Sequence, residues 1–256
     1  MMKFVLLCIV LSFVSTFLMS GASGKYERFE KHVFVHGTDS LPYRLLKPLK
    51  QEAGKKYPLV IFLHGSGERG IDNEKQLIHG TALFADSIAA YPCYVVIPQC
   101  PQGHKWVEAD WSAPVPVQPE NISNPLLLTS LLSDSLMSAL PIDIDRIYVT
   151  GISMGGRGVF DLLYRYPGKF AAAAPVCGSA DLKIAPLIKD VPLWAFHGDE
   201  DQVVPFSADE NLMKAILTAG GTPRFTIYPK LGHNAWDYAY KEPEFLQWLF
   251  SHHRKQ

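Results

Sequence analysis

Ser153 lies in VTGISMGGRG, residues 149–158, where a run of β-branched residues drives into four glycines packed around one serine. Glycine inside regular structure costs backbone entropy, so this density answers a steric demand that larger side chains cannot meet. Gly151, Ser153 and Gly155 form GxSxG where the strand IYVTG gives way to the helical pattern RGVFDLLYRYP. That is the setting of a nucleophile elbow, a sharp turn that holds a seryl oxygen clear of the backbone. A seryl hydroxyl is a poor nucleophile until a base removes its proton, and the base needs a third group to orient it. Downstream, HGDEDQVVP supplies Asp199, Glu200 and Asp201, and KLGHNAWD supplies His233, in the chain order nucleophile, acid, histidine. Two carboxylates compete for the acid. Asp201 precedes QVVP, which turns the chain towards the next helix, whereas Asp199 lies in the turn after Gly198, where a carboxylate caps. His64 and His197 end strands and are expected to hydrogen-bond there, and His252 and His253 fall in the last helix, which leaves His233 as the base.

Acyl transfer also needs two donors for an oxyanion. In FLHGSGERG the glycines let backbone amides face the site, so the Ser66 N–H, or Gly67 beside it, joins the Met154 N–H that follows the nucleophile. Glu68 and Arg69 next to that loop read first as a solvated pair, with a clamp on the loop or a contact to substrate as the alternatives. Trp106 and Trp111 in the long loop 99–123, and Trp236 three residues after His233, offer aromatic faces for sugar or aryl stacking, while packing of the loop onto the body is an equal use for Trp106 and Trp111. No metal site is expected. His32 and His36 share one face of a strand but stand about 13 Å apart.

The elements that must position these residues are legible as alternation. KHVFVHG and LPYRLLKP around GTDS predict an antiparallel hairpin. YPLVIFLHG, YVVIP, RIYVTG, AAAAPV, PLWAFHG and RFTIYP are apolar runs of the kind buried on both faces of a parallel sheet. Between them, Asn124 and Pro125 open LLLTSLLSDSLMSAL, and SADE at 207–210 predicts a capping box before NLMKAILTAGG. Strands alternating with helices predict an α/β fold with a doubly wound, mostly parallel sheet, the helix near PEFLQWLFSHH covering one face. Only about fifteen residues separate AAAAPV from PLWAFHG, too few for a cap domain, and an open cleft suits bulky, branched or polymeric substrates.

The chain of 256 residues, 48% hydrophobic, is expected to form one domain over 25–256. Its 24 Lys and Arg against 25 Asp and Glu, with no run of like charge, exclude an electrostatic nucleic-acid footprint. Residues 1–24 have the lysine, uncharged apolar run and small-residue end of a secretory signal peptide, which predicts a secreted or periplasmic protein without stable membrane insertion after cleavage. No disulfide is expected between Cys93 and Cys100, because the extended YVVIP between them holds them too far apart.

The stretches FLHGSGERGIDN, VVIPQCPQGHKW, VTGISMGGRG, HGDEDQVVP and LGHNAW resemble the α/β-hydrolases. Within that superfamily they are similar to secreted bacterial esterases related to polyhydroxybutyrate depolymerases, to feruloyl and acetyl xylan esterases, and to a group labelled predicted peptidases. The resemblance runs from roughly Pro58 to the C-terminus. It implies the α/β-hydrolase fold, Ser153 as nucleophile, Asp201 as acid, His233 as base, an oxyanion hole of Ser66 and Met154, and no cofactor. Peptidase-labelled members often carry a β-rich domain ahead of the hydrolase, and none fits here. The expectation is therefore a serine carboxylesterase acting on a small-molecule or carbohydrate-linked ester. Its rivals are a peptidase using the same triad and a non-catalytic binding protein on the same scaffold.

Overall fold

The structure, a computed structural model, describes residues 26–110 and 116–254. Residues 1–24, where a signal peptide is expected, and Trp111 lie outside the described residues. Eight strands form one sheet: β1 (Glu30–His36), β2 (Asp39–Leu46), β3 (Tyr57–Leu63), β4 (Tyr94–Pro98), β5 (Ile142–Ile152), β6 (Ala172–Val176), β7 (Trp194–Gly198) and β8 (Arg224–Tyr228), in the spatial order β1-β2-β4-β3-β5-β6-β7-β8. β1 and β2 pair antiparallel and β2 joins β4 antiparallel, and from β4 to β8 every pairing is parallel. The hairpin turn is tighter than GTDS suggested, because Asp39 and Ser40 already pair with His36 and Val35.

Period-two alternation with apolar residues at every position buries β3 on both sides. Leu59, Ile61 and Leu63 enter one core cluster, while Val60 and Phe62 enter the other. The first cluster is closed by α2 (Asn124–Ala139), α3 (Met154–Arg165), α4 (Ala185–Ile188) and α5 (Phe206–Thr218). The second lies under α1 (Ala82–Ser87), α6 (Trp236–Ala239) and α7 (Phe245–Ser251). Helices on both faces make a three-layer doubly wound fold. α2 begins as its sequence predicts, with Ser123 accepting from the Leu126 N–H and Pro125 in the first turn.

The capping box at α5 does not form. Pro205 precedes the helix, and no side chain caps it. Asp209 points inward instead, with no exposure, and its oxygens are taken by His197 and the Ser179 N–H. Between β6 and β7 the chain makes only a turn of 3-10 helix, Leu182–Ile184, and the single turn of α4. The carboxyl ends of β3, β5, β7 and the loop after β8 converge on one rim, and the connection between β6 and β7 places no cap domain over it.

Candidate active site

Gly151, Gly155 and Gly156 owe their identity to close packing. A Cβ on Gly155 would lie 2.0 Å from the Leu63 carbonyl oxygen, and one on Gly156 would lie 2.7 Å from that of Val176. The start of α3 is therefore pressed directly onto β3 and β6, as no larger residue allows. Ser153, in the turn between β5 and α3, has φ 53° and ψ −115°, a conformation that costs a non-glycine residue of order 1–3 kcal/mol. Its N–H donates to the Val176 carbonyl at 2.8 Å, which helps to hold the turn.

Three residues far apart in the chain form one hydrogen-bonded line. Ser153 Oγ lies 2.7 Å from His233 Nε2, and His233 Nδ1 lies 2.7 Å from Asp201 Oδ2. Asp201 Oδ1 accepts from the N–H groups of Val203 and Val204 at 2.8 and 2.9 Å. Burial opposes ionisation of Asp201, but hydrogen bonds from His197, His233 and those two amides outweigh it and hold the carboxyl well below its usual range. Because Asp201 is a carboxylate, the proton on His233 sits on Nδ1, which leaves Nε2 to accept from the serine. The other candidate acid is elsewhere: Asp199 Oδ1 accepts from the Lys230 N–H at 2.6 Å and closes the turn after β8.

Met154 is the first residue of α3, and Ser66 opens a 3-10 turn, Ser66–Glu68. Amides at such starts have no partner within their own helix. Side-chain hydrogen bonds tie the Ser66 loop to its surroundings. His64 Nε2 accepts from the Cys100 N–H at 2.9 Å, so His64 donates from Nδ1 to the Gly65 carbonyl at 2.6 Å. Burial pushes the His64 imidazolium down to about 4, which keeps the ring neutral in that tautomer. Arg69 donates from Nε to the Ser66 carbonyl at 2.8 Å, and Gln99 donates to the Glu68 carbonyl at 3.1 Å. Glu68 and Arg69 are thus not a solvated pair: Arg69 clamps the loop, and Glu68 is 7% exposed, its carboxylate 3.7 Å from His79 Nε2.

Of the aromatic candidates, Trp106 is corrected. It has no exposure; its indole N–H donates to the His64 carbonyl at 3.0 Å and its ring packs edge-on against the His64 ring. An apolar ring this large contributes most when buried, and here it anchors loop 99–123 to β3 rather than facing substrate. Trp236 is half-buried beside the base, its ring 5.2 Å from His233 and 5.6 Å from His79. Trp236 thus links His233 to His79, which in turn meets Glu68, an association that spacing along the chain does not signal.

A second missed residue is His197. It is fully buried, with Nδ1 2.7 Å from Asp209 Oδ2 and Nε2 3.1 Å from both Asp201 Oδ2 and the Val204 carbonyl. The only sequence signal was its place at the end of β7, four residues before Asp201. Cys177 Sγ, Asp201 and His233 each present an atom within 4.8 Å of the others. As a metal set they fit poorly, since the carboxylate and imidazole already serve one another and burial pushes the Cys177 thiol well up, away from the thiolate a metal requires.

A nucleophile elbow at the end of β5, an acid after β7 and a histidine after β8, on a sheet of this order, define an α/β-hydrolase. Residues 48–242 match the phospholipase/carboxylesterase family, and the chain belongs to it. A solved thermostable esterase superposes with a TM-score of 0.83 at 36% identity, over 90% of this chain and 64% of that one. An acyl-protein thioesterase 1 homologue of Dictyostelium discoideum is 30% identical over 122 residues, which cover 45% of this chain and 54% of that protein. The carboxylesterase SOBER1 of Arabidopsis thaliana is 25% identical over 191 residues, 68% of this chain and 82% of its own. The chain therefore spans about half the length of the Dictyostelium relative and less than two thirds of the solved esterase.

Proposed function

We propose that this protein is a serine carboxylesterase that works through an acyl-enzyme, and that it acts outside the cytoplasm once residues 1–24 are removed. The observation that carries the reading is the unbroken line Ser153 Oγ, His233, Asp201, at 2.7 Å in each step. As Ser153 Oγ bonds to the ester carbonyl carbon, His233 Nε2 takes the hydroxyl proton, and the imidazolium so formed is stabilised by the Asp201 carboxylate. The carbonyl oxygen, now carrying the electron pair, is met by the N–H groups of Met154 and Ser66. Collapse of the tetrahedral intermediate breaks the bond to the alcohol oxygen, which leaves with the proton from His233. Water then attacks the acyl-serine by the same steps in reverse, His233 taking its proton, and Ser153 is restored. No step calls for a cofactor.

The substrate we propose is an ester on a bulky or carbohydrate-linked group. It is supported by the short connection between β6 and β7, which has no room for a cap domain, and by Trp236 beside His233, an aromatic face next to His79. The test is labelling with a fluorophosphonate followed by mass spectrometry of the adduct, with turnover of p-nitrophenyl acetate, acetylated oligosaccharides and peptide amides measured in parallel. Labelling of Ser153 that is lost in His233→Ala, with ester turnover, is the expected result. A folded protein that takes no label overturns the catalytic reading, and peptide cleavage without ester cleavage overturns the substrate class.

A further inference from the structure

Behind the triad lies a line of buried charged and polar side chains that the reaction above does not use. It runs from Arg157 on α3 through Ser179, in the loop after β6, and Asp209 on α5 to His197 at the end of β7, and from there to Asp201. Arg157 Nη2 donates to Ser179 Oγ at 2.8 Å, the Ser179 N–H donates to Asp209 Oδ1 at 3.0 Å, and Asp209 Oδ2 meets His197 Nδ1 at 2.7 Å. None of these side chains reaches the rim: Arg157 is 4% exposed, Ser179 1%, and Asp209 and His197 are fully buried.

His197 is the informative member because both of its ring nitrogens face only acceptors. Nδ1 faces a carboxylate, and Nε2 faces the Val204 carbonyl and the oxygen of Asp201 that also receives His233. A neutral imidazole has one N–H and one bare nitrogen, and the bare nitrogen would meet an acceptor lone pair at hydrogen-bond distance, unless Asp209 itself took the proton. We propose that His197 is a positioning residue of this site: an imidazolium held between Asp209 and Asp201, it fixes the triad carboxylate and offsets part of the negative charge that Asp201 presents to His233. Burial works against the charged ring, but the carboxylates of Asp201 and Asp209 outweigh it and hold His197 up at about 10.

The charged and titratable groups around the ring come from each element packed on it. They are Asp201 after β7, Asp209 on α5, His233 after β8, Cys177 after β6 and, through Ser179, Arg157 on α3. With Cys177 kept as a thiol, the two carboxylates that flank the ring are met by His197 itself and, through Ser179, by Arg157. Catalysis then adds one proton's charge to His233. Without the His197 cation the surroundings of His233 are more negative by one charge, and that proton binds His233 more tightly before substrate arrives. His233 is then blocked as a base at a higher pH than before.

The inference rests on the proposed esterase reading for its kinetic arm but not for its spectroscopic one. In protein labelled with 15N-histidine, the ring resonances absent from His197→Gln spectra identify His197. We expect both of its nitrogens protonated from pH 6 to pH 8, and a bare nitrogen there overturns the proposal whatever the variant does and whether or not any ester is cleaved. In the kinetic arm, the acid limb of kcat/KM for p-nitrophenyl acetate should move upward by about one pH unit in His197→Gln, with a plateau lowered about tenfold. A purely structural role predicts a lower plateau and melting temperature with an unmoved limb, so that outcome in the folded variant refutes the charge-offset role. If the variant fails to fold, the wild-type spectrum decides, with its resonances assigned through the seven described histidines other than His197 and His233.

Discussion

Replacing Gly198 by alanine puts a methyl group into a space that the backbone of another loop already occupies. An ideal Cβ there would lie 2.2 Å from the Leu231 carbonyl oxygen and 2.4 Å from that of Gly232, where ordinary contact is 3.4–4 Å. The atoms in the way are backbone, so no side-chain rotation relieves the clash, and the Leu231–His233 loop must retreat by about 1 Å. The Leu231 carbonyl also accepts the Glu200 N–H at 3.0 Å, the stitch that holds the acid's loop to the histidine's. Retreat therefore stretches the 2.7 Å contacts of His233 on both sides. A misplacement of about 1 Å at reacting groups costs on the order of 100-fold in rate, while overpacking costs about 1–3 kcal/mol of stability. Measured as kcat/KM for p-nitrophenyl acetate beside a thermal melt, Gly198→Ala should lose about 100-fold yet remain folded at 25 °C. Gly232→Ala, where nothing lies within 4 Å of the added atom, is the control and should stay within about threefold. Wild-type turnover in Gly198→Ala would refute the claim that this contact sets the position of the base.

Asp201→Asn should lower kcat by about 10³–10⁴-fold, because the amide no longer selects the His233 tautomer, whereas Asp199→Asn should change it less than about tenfold; equal losses would return Asp199 to the site. Trp106→Phe removes the bond to the His64 carbonyl, so unfolding free energy should fall by about 1–3 kcal/mol with KM little changed, and a raised KM at unaltered stability would restore a substrate role. His64 gives stability a pH dependence of known sign. Its folded value of about 4 lies below the unfolded 6.5, so between those values only the unfolded chain takes up the proton, and stability falls as the pH falls through the window, by on the order of 3 kcal/mol at its lower end. In urea titrations at pH 7 and pH 4.5, His64→Gln should lose less stability on acidification than the wild type, and equal losses would place the acid sensitivity elsewhere.

Much of the site was legible because some residue types announce local geometry. GxSxG between a β-branched strand and a helical pattern names a turn, and the apolar runs ending at His64, Gly151 and Gly198 name strand ends on a common edge. What stayed illegible was every choice that rests on which surfaces meet. The pattern around Asp199 and Asp201 already sets a turn residue apart from an acid, but the partners follow from the approach of the loop after β8, which gives one to the Lys230 N–H and the other to His233. Asp209 has the look of a helix-start residue, yet β7 beside α5 supplies His197 as a partner stronger than a capping amide. Trp106 has the composition of a cleft lining, but the loop that carries it folds under the edge of β3.

The sequence by itself determined the order of strands and helices, the elbow at Ser153 and the chain order of nucleophile, acid and base, since these follow from propensity, periodicity and local steric demand. Only the tertiary structure decided how Asp201 and His233 meet, that Asp209 and His197 stand behind them, and that Trp106 is core. Those outcomes depend on contacts between different segments, 12 residues apart in the chain for His197 and Asp209, 32 for Asp201 and His233 and 42 for His64 and Trp106. Such contacts are set by how eight strands pack and twist together, and no local pattern encodes them.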